Sequence, residues 1–288
     1  MPSSVPKICL TIAGLDPSGG AGILADVKTF EAFGCFGAAA ITSVTFQNTT
    51  GVFGAVHHTS ESVRRQIEPI LEDYTVDAVK TGMLPTREVI EETARLLVEN
   101  NLKNIIVDPV VRSTSGYDLI DNEALRSLVK NLFPLADLIT PNLPEAERIS
   151  GVAIECEKDI HDASQIMRDM GAKNVLIKGG HFSNAEGRMR NAELSEPGTI
   201  ATGAPDGSDK ATDFLFLGEE LHRIDGVYHN TTATHGTGCV LSAAITANLA
   251  LGESLLDAVK IAKQFVNEAI RTAPNIGRGH SPINIKPA

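Results

Sequence analysis

Long hydrophobic runs are missing from this sequence, since nowhere do about 18 apolar residues follow one another. A transmembrane helix needs such a run. A secretory signal needs a basic start followed by an apolar stretch, which residues 1–7 do not provide. The sequence therefore predicts neither a membrane span nor a signal peptide, and we expect a cytoplasmic protein.

Basic residues and cysteines are scarce as well. The 25 Lys and Arg residues are outnumbered by 36 Asp and Glu residues, which leaves a formal charge of −11. Because nucleic-acid binding depends on basic groups that displace counterions, this balance argues against a nucleic-acid partner. The four cysteines stand far apart, without a C-x-x-C pair or a Cys/His spacing typical of metal sites. Isolated cysteines of this kind fit an intracellular chain.

Apolar runs alternate with amphipathic stretches along most of the chain, which predicts an α/β fold with a mostly parallel sheet. The predicted strands are Ile8–Ala13, Ala38–Thr42, Asp77–Thr81, Asn104–Val107, Asp137–Thr140 and Asn174–Lys178. The predicted helices are Gly22–Phe33, Ser60–Leu71, Arg87–Glu99, Asn122–Leu132, Lys158–Met170, Gly238–Leu249 and Leu255–Arg271. We expect one domain over residues 1–288, with an irregular surface excursion or short hairpin at about 182–212.

A glycine-rich turn, Ala13–Gly22, follows the first predicted strand. Ligands of parallel sheets bind at the carboxyl ends of the strands, and glycines there let the backbone approach a ligand closely. The spacing fits neither a P-loop nor a Rossmann dinucleotide motif. A structural role for this turn therefore stays open beside a ligand-binding role.

The segment Thr234–Cys239 precedes a helix of small residues. Consecutive amides at a glycine-rich helix start form an anion pocket suited to a transferring phosphoryl group, and the predicted contributors are Gly236, Thr237 and Gly238. A helix N-terminus also favours a thiolate, so we predict Cys239 as a base or as a polar contact to the acceptor hydroxyl. The alternative is a helix entry without a ligand.

Polar groups follow three further predicted strands. Asn142 and Glu145 offer oxygen ligands for a hydrated Mg²⁺, although a helix-capping pair explains their spacing equally well. Asp108 supplies another carboxylate. Lys178 precedes two glycines, where it either pairs with phosphate oxygens or is simply solvated.

Together these segments resemble the hydroxymethylpyrimidine/phosphomethylpyrimidine kinases of the ribokinase-like superfamily. The resemblance lies in Ile12–Phe30, Phe46–Thr49, Val79–Met83, Val107–Val110, Thr140–Ala146, Ile177–His181 and Thr234–Ala244. It implies a central, mostly parallel sheet with helices on both faces. It also implies ATP as phosphoryl donor, Mg²⁺ as cofactor, a small-molecule substrate and a homodimer.

The resemblance also implies roles for single residues. The pyrimidine pocket would be lined by Gly14, Asp26, Gln47, Met83 and Val110. For Met83 and Val110, packing in the core is the alternative. The turn Gly236–Cys239 would stabilise the transferring phosphate, with Cys239 at the position where many relatives carry an aspartate base. Asn142 and Glu145 would organise Mg²⁺, and the residues expected beside the nucleotide are Asp108, Lys178 and Asn142.

The implied reaction is phosphorylation of 4-amino-5-hydroxymethyl-2-methylpyrimidine and then of its monophosphate. Three features depart from the family pattern: Pro17 replaces a small polar residue, a predicted lid carries Arg112 and Ser113, and the excursion at 182–212 is longer than expected.

Two other functions remain open. The nearest alternative is a pyridoxal or pyridoxine kinase. Gln47 favours the pyrimidine, as does the absence of cysteine from residues 108–116. A noncatalytic sensor of vitamers or nucleotides is the second alternative, and it would bind these ligands without turnover.

Overall fold

The computed structural model describes residues 5–111, 119–180 and 210–286. Its strands are β1 (Ile8–Leu15), β2 (Phe36–Asn48), β3 (Gly51–His57), β4 (Ala78–Thr81), β5 (Ile105–Val107), β6 (Leu138–Ile139), β7 (Asn174–Ile177), β8 (Lys210–Leu217) and β9 (Glu220–Val227). Its α-helices are α1 (Gly22–Ala32), α2 (Ser60–Asp73), α3 (Arg87–Glu99), α4 (Asn122–Asn131), α5 (Leu143–Ser150), α6 (Glu157–Asp169), α7 (Thr237–Leu251) and α8 (Leu255–Arg271).

The nine strands form one sheet in the order β3-β2-β1-β4-β5-β6-β7-β8-β9. Strand β1 pairs in parallel with β2 and β4, and the parallel pairing continues through β5 and β6 to β7. Antiparallel pairs close both ends. Strand β2 pairs with β3 at one end, and at the other end β7 pairs with β8 and β8 with β9. The predicted mostly parallel sheet is confirmed.

Helices cover both faces of the sheet because its central strands are apolar on both sides. Along β5, Ile105 and Val107 pack into the core shared with α2 to α6, whereas Ile106 packs into the core shared with α7 and α8. This alternation follows from the two-residue period of a strand. The two-sided arrangement implied by the resemblance is confirmed.

Helix α7 is apolar around most of its circumference, and ten of its residues are buried. A helix of that kind belongs in the interior of a domain. It packs against β4 on the sheet and against α1 and α8. This packing fixes the start of α7 over the carboxyl ends of the central strands.

The predicted elements are present, α3 and α8 with the predicted ends and the others with shifted ends, but the sequence reading missed four elements of the described ranges. It missed the antiparallel strands β3, β8 and β9, and it named no helix at α5, where it offered a capping pair or Mg²⁺ ligands. Residues 210–212, predicted to lie in an irregular excursion or short hairpin, begin β8, because Lys210–Leu217 pairs along its whole length with β9. Residues 182–209, His181 and the predicted lid residues Arg112 and Ser113 lie outside the described residues. The single domain stays a prediction.

None of the helices in the described ranges has the length and apolar character needed to cross a membrane.

Candidate active site

A cleft of about 480 Å³ opens where β1, β4 and β5 end and α7 begins. Small-molecule sites commonly measure roughly 300–1,000 Å³ and lie at this edge of an open α/β sheet. Most of the predicted site residues line this one cleft: Gly14, Gln47, Met83, Asp108, Val110, Asn142, Glu145, Lys178, Gly236, Thr237, Gly238 and Cys239. Residues far apart in sequence therefore meet as the motif analysis predicts.

The start of α7 is fixed by glycine. Gly236 adopts φ +84°, and a Cβ there would lie 1.8 Å from the carbonyl oxygen of Gly20. This close approach places the helix start against the glycine-rich turn after β1. The Thr237 amide donates to the Thr234 carbonyl at 3.3 Å. The Gly238 and Cys239 amides lie in the first turn, where an α-helix offers no backbone acceptor of its own.

Lys178 brings a positive charge to this helix start. Its Nζ lies 3.1 Å from the position that a Cβ on Gly238 would take. The same Nζ donates to Asp108 Oδ1 at 3.0 Å. Burial opposes the charge, but Asp108 and Glu145 outweigh it, so the pKa of Lys178 lies above its ordinary value. Lys178 is therefore a charged group beside the anion pocket.

The Asp108 carboxylate accepts hydrogen bonds from two hydroxyl groups and one ammonium group. Its Oδ1 accepts from Thr140 and Lys178, and its Oδ2 accepts from Ser242 at 3.2 Å. Burial works against ionisation, but Lys178 and Lys80 outweigh it and lower the pKa of Asp108. The carboxylate is consequently ionised at neutral pH.

Asn142 and Glu145 form the capping box that the sequence left open beside the metal role. Asn142 Oδ1 accepts from the Glu145 amide at 2.9 Å, and Glu145 Oε2 accepts from the Asn142 amide at 2.8 Å. Burial, which the charge of Lys178 offsets only in part, raises the pKa of Glu145 to about 7. The cap orients the Glu145 carboxyl group, which lines the cleft together with Asp108.

This donor set fits a hydrated Mg²⁺. Such an ion is commonly held by one or two carboxylates together with waters and substrate phosphates. Asp108 and Glu145 each raise the other's cost of ionisation, and a hard cation between two carboxylates relieves that cost. Within the described part of the chain, no group of three or more acidic, histidine or cysteine side chains is arranged to hold a metal.

Of the two roles that the sequence left open for Cys239, a base and a polar contact, its surroundings favour the polar contact. Burial raises the pKa of its thiol to about 11, with Asp26 and Asp108 acting in the same direction and Lys80 against them. Loss of hydration and the nearby carboxylates thus outweigh the charge of Lys80. At neutral pH the group is a thiol, which can act as a polar contact and is poorly suited to remove a proton.

Asp26 lies beneath the residues that line the cleft, so its place in the pyrimidine pocket stays a prediction. The carboxylate is completely buried, and its Oδ2 accepts from Lys80 Nζ at 2.8 Å and from Thr11 Oγ1 at 2.7 Å. It projects from α1 toward the sheet, where Lys80 of β4 binds it. Lys80 contributes to the floor of the cleft instead.

Sequence reasoning missed two ion pairs and one contact between a histidine and a carboxylate at this cleft. They are Asp26 with Lys80 at 2.8 Å, Asp16 with His235 at 2.7 Å and Asp213 with Lys263 at 2.7 Å. Of these residues, only Lys80 could have been recognised from the sequence. It stands inside an apolar strand, and a lysine is rarely buried there without an acidic partner. The other two pairs join segments that no local pattern connects.

Comparison with known proteins shows which family has these features. The family described as phosphomethylpyrimidine kinase matches residues 16–284. This chain belongs to the phosphomethylpyrimidine kinase family. The hydroxymethylpyrimidine/phosphomethylpyrimidine kinase of Bacillus subtilis strain 168 is 42% identical over 275 residues, which cover 96% of this chain and 93% of that protein.

Two solved structures extend the comparison. The phosphomethylpyrimidine kinase of Clostridium difficile 630 superposes with a TM-score of 0.73 at 39% identity, covering 92% of this chain and 99% of that one. The pyridoxal kinase of Staphylococcus aureus, solved with AMP-PCP and pyridoxal, gives 0.83 at 30% identity, covering 99% and 95%. The predicted phosphomethylpyrimidine kinase family, its ribokinase-like fold and its class, the phosphotransferases, are confirmed.

Proposed function

We propose that this family member phosphorylates 4-amino-5-hydroxymethyl-2-methylpyrimidine with ATP, and then phosphorylates the monophosphate to the diphosphate. One observation carries the proposal. The anion pocket at the start of α7, with Lys178 beside it, opens into the same cleft as Gln47, Met83 and Val110. A phosphate site and a site for a flat, polar-edged ring are therefore next to each other.

In the first reaction the hydroxymethyl oxygen forms a bond to the γ-phosphorus of ATP. The bond from that phosphorus to the β,γ-bridging oxygen breaks, ADP leaves with the electron pair, and the hydroxyl proton is released. In the second reaction an oxygen of the pyrimidine monophosphate attacks in the same way and a P–O–P linkage forms. Such transfers depend mainly on positioning and on neutralisation of charge.

The amides of Gly238 and Cys239 and the ammonium of Lys178 are suited to stabilise the charge on the transferring phosphoryl group. ATP as donor is supported by the AMP-PCP bound to the Staphylococcus aureus pyridoxal kinase. Asp108, Glu145 and Asn142 would hold Mg²⁺ beside the nucleotide. When bound, the ion neutralises phosphate oxygens and orients them.

Gly14 makes room for the ring. A Cβ at this position would lie 3.2 Å from Met83 Sδ, so glycine leaves open the space in front of the thioether. Met83 and Val110 would cover the faces of the ring, and the Gln47 amide would meet its polar edge. Since the Cys239 thiol holds its proton at neutral pH, we assign to it a polar contact to the acceptor and not proton removal.

We further infer a homodimer in the cytoplasm, as the family resemblance implies, with small-molecule substrates and no nucleic-acid partner.

Phosphorylation of pyridoxal is the second candidate. It is favoured by the similarity of this chain to the pyridoxal kinase of Staphylococcus aureus over nearly its full length. Both substrates carry a hydroxymethyl group on a six-membered ring, so the same phosphate site would serve either one.

The test is an assay of the purified protein with ATP and Mg²⁺ on the hydroxymethylpyrimidine and on pyridoxal in parallel, with products followed by mass spectrometry. We expect the pyrimidine monophosphate to appear first and the diphosphate to follow. Product from pyridoxal alone would move the assignment to vitamin B6. Binding of both ligands without any product would support the noncatalytic sensor.

A further inference from the structure

Asp213 and Lys263 form an ion pair in the wall of the cleft that the proposed reaction does not use. Lys263 Nζ lies 2.7 Å from Asp213 Oδ2, and both side chains are less than a tenth exposed. Lys263 belongs to the buried side of α8, and Asp213 lies on β8. Aspartate and lysine are rarely buried unless they are paired. The remaining contacts of Asp213 show what this pair holds in place.

The second oxygen of Asp213 holds the backbone immediately after Lys178. Asp213 Oδ1 accepts from the Gly179 amide at 3.1 Å. The regular pairing of β7 with β8 ends two residues earlier, at Ile177 and Phe214. Gly179 is buried, and a buried amide needs an acceptor. The Asp213 side chain therefore supplies the acceptor at a point where the strand pairing has stopped.

Two neighbouring peptide units are held around Lys178. Gly179 lies directly against β8, since a Cβ there would be 2.1 Å from the Thr212 carbonyl oxygen, and its amide is bound by Asp213. On the other side, the Lys178 amide donates to the Pro141 carbonyl at 2.9 Å. The Cα atom of Lys178 lies between these two units. Together they fix the direction in which the lysine side chain leaves the backbone.

This direction decides where the charge of Lys178 lies. Its Nζ contacts Asp108 Oδ1 at 3.0 Å and lies 3.1 Å from the position that a Cβ on Gly238 would take. A displacement of a catalytic group by about 1 Å can cost on the order of 10²-fold in rate. Any group that keeps the backbone of Lys178 in place therefore affects the phosphate site.

We propose that Asp213, itself held by Lys263, is a positioning residue that places the Lys178 ammonium group at the anion pocket through the Gly179 amide. This role rests on the proposed function, in which Lys178 stabilises the charge on the transferring phosphoryl group. Neither Asp213 nor Lys263 has to touch a substrate for it. Each oxygen of Asp213 already accepts a hydrogen bond within the protein.

Two double variants separate the hydrogen bond to Gly179 from the ion pair. The amide variant, Asp213→Asn with Lys263→Met, keeps an oxygen that can accept from the Gly179 amide. The apolar variant, Asp213→Leu with Lys263→Met, has a side chain of nearly the same size at this position but no acceptor. Both variants remove the two buried charges together, and buried ion pairs often tolerate replacement by apolar residues of similar volume.

We expect kcat of the amide variant to exceed that of the apolar variant by on the order of tenfold or more, because only the apolar variant releases the backbone at Gly179. Circular dichroism and thermal unfolding establish that both are folded. If the apolar variant does not fold, Asp213→Ala with Lys263→Met takes its place. Equal kcat values in the two folded variants would overturn the proposal, whether KM for ATP is unchanged or rises in both.

The same comparison in a Lys178→Met background shows whether Asp213 acts through Lys178. Lys178→Met alone should lower kcat by on the order of 10²–10³-fold, which single-turnover assays followed by mass spectrometry still resolve. In this background we expect the ratio between the amide and apolar variants to fall below about threefold, since the effects of residues that act as one unit do not add. A ratio as large as in the presence of Lys178 would overturn the proposal.

These measurements separate the role of Asp213 from the proposed function. Failure of the wild-type protein to phosphorylate the pyrimidine would overturn the proposed function, and if pyridoxal is the substrate instead, the same ratios are measured with pyridoxal. A wild-type kcat in Lys178→Met would overturn the role of Lys178 and with it that of Asp213. Pyrimidine phosphorylation by the wild type combined with equal kcat in the amide and apolar variants would overturn only the role of Asp213.

Discussion

Asp26 and Lys80 form an ion pair from which water is excluded, with 2.8 Å between Lys80 Nζ and Asp26 Oδ2. Burial opposes the charge on Lys80, but the carboxylates of Asp26 and Asp108 outweigh it and raise the pKa of the ammonium group. Removing one partner of such a pair leaves the other charge uncompensated. Asp26 therefore holds Lys80 through Oδ2, while Oδ1 has no hydrogen-bond partner among the described residues, and its contact to the substrate stays a prediction.

We expect Asp26→Asn to lower the free energy of unfolding by about 3–5 kcal/mol, because the Lys80 charge stays buried without its counter-charge. Urea unfolding followed by circular dichroism measures this change. Asp162→Asn is the control, since its partner Lys158 lies on an exposed helix surface and the loss should be small. If Asp26→Asn keeps wild-type stability but shows a large rise in KM for the pyrimidine, Asp26 contacts the substrate instead.

Cys239 gives a prediction about pH. Its thiol has a pKa of about 11, so it stays protonated through the neutral range and cannot accept a proton from the substrate. A general base contributes on the order of 10²–10⁴-fold to a rate. We expect Cys239→Ser to lose less than about tenfold in kcat and to keep the shape of the wild-type pH profile between about pH 6 and 9.

The measurement is kcat against pH for both proteins at saturating ATP and pyrimidine. A hundredfold loss accompanied by the disappearance of an ionisation step would show that the thiol does act as the base.

Single residues also show where prediction from sequence stops. The motifs that end strands converge in the cleft because the carboxyl ends of parallel strands share one edge of the sheet. The pairing of Asp26 with Lys80 spans 54 residues and that of Asp16 with His235 spans 219, and no local pattern encodes either. The burial that raises the pKa of the Cys239 thiol could not be predicted either, because burial cannot be read from position in a helix.

At the scale of elements, the buried strands could be predicted and the antiparallel edge strands could not. Strand β9 is mostly polar and buries chiefly Ile224, so it lacks the apolar run that identifies β5 or β7. Strand β3 contains two glycines and lies at the end of the sheet, where neither face is well covered. Strand β8 is apolar, but it begins inside a stretch whose composition indicates irregular structure. Helix α7 was easy to predict because small apolar residues continue over its whole length.

Helix α5 allows its cap to be separated from the metal role of Glu145. Glu145→Gln keeps an N3 side chain that can accept from Asn142, whereas Glu145→Ala loses it. The pKa of Glu145 is about 7 in the folded protein, above its ordinary 4.5. The folded state therefore binds the proton more tightly, and its stability falls as pH rises from about 4.5 to about 7, by roughly 3 kcal/mol once both states are ionised.

In EDTA we consequently expect Glu145→Gln to be more stable than wild type at pH 8, with the difference shrinking as pH falls toward 4.5. Glu145→Ala should be less stable than Glu145→Gln at both ends of this range. Thermal unfolding at pH 5 and pH 8 measures both effects. If Glu145 also organises Mg²⁺, both variants lose activity, whereas a fully active Glu145→Gln would leave the residue with the capping role alone.

The first turn of α7 gives a second prediction at this scale. Gly238 has no positive φ, and the nearest atom to an added Cβ is Lys178 Nζ at 3.1 Å, the far end of a flexible side chain. Gly238→Ala should therefore fold normally but displace Lys178 and crowd the transferring phosphate, so that kcat falls by on the order of tenfold or more. Gly51→Ala is the control, because its Cβ would meet nothing within 4 Å. Wild-type turnover in folded Gly238→Ala would rule out the anion pocket.

At the scale of the whole molecule, the edge of the sheet formed by β3 carries exposed apolar side chains. Three side chains of the β2–β3 hairpin, Phe46, Phe53 and Val56, are 52%, 69% and 57% exposed. A terminal strand offers unpaired backbone groups, and natural proteins rarely leave such a strand both apolar and uncovered. A second copy of the chain packed on this hairpin would cover it, which agrees with the homodimer implied by the family resemblance.

We expect sedimentation equilibrium at micromolar concentration to give twice the chain mass of 30.6 kDa. Phe53→Asp should shift the protein to the monomer, since it would place an unpaired charge in an apolar interface. Val98→Asp replaces another exposed apolar side chain, on α3, and should remain dimeric. A monomeric wild type would refute the dimer, and dissociation in both variants or in neither would show that any dimer forms through another surface. Because Gln47 lies on the same hairpin, a dimer through this surface would also steady the pocket, and Phe53→Asp should then raise KM for the pyrimidine as well.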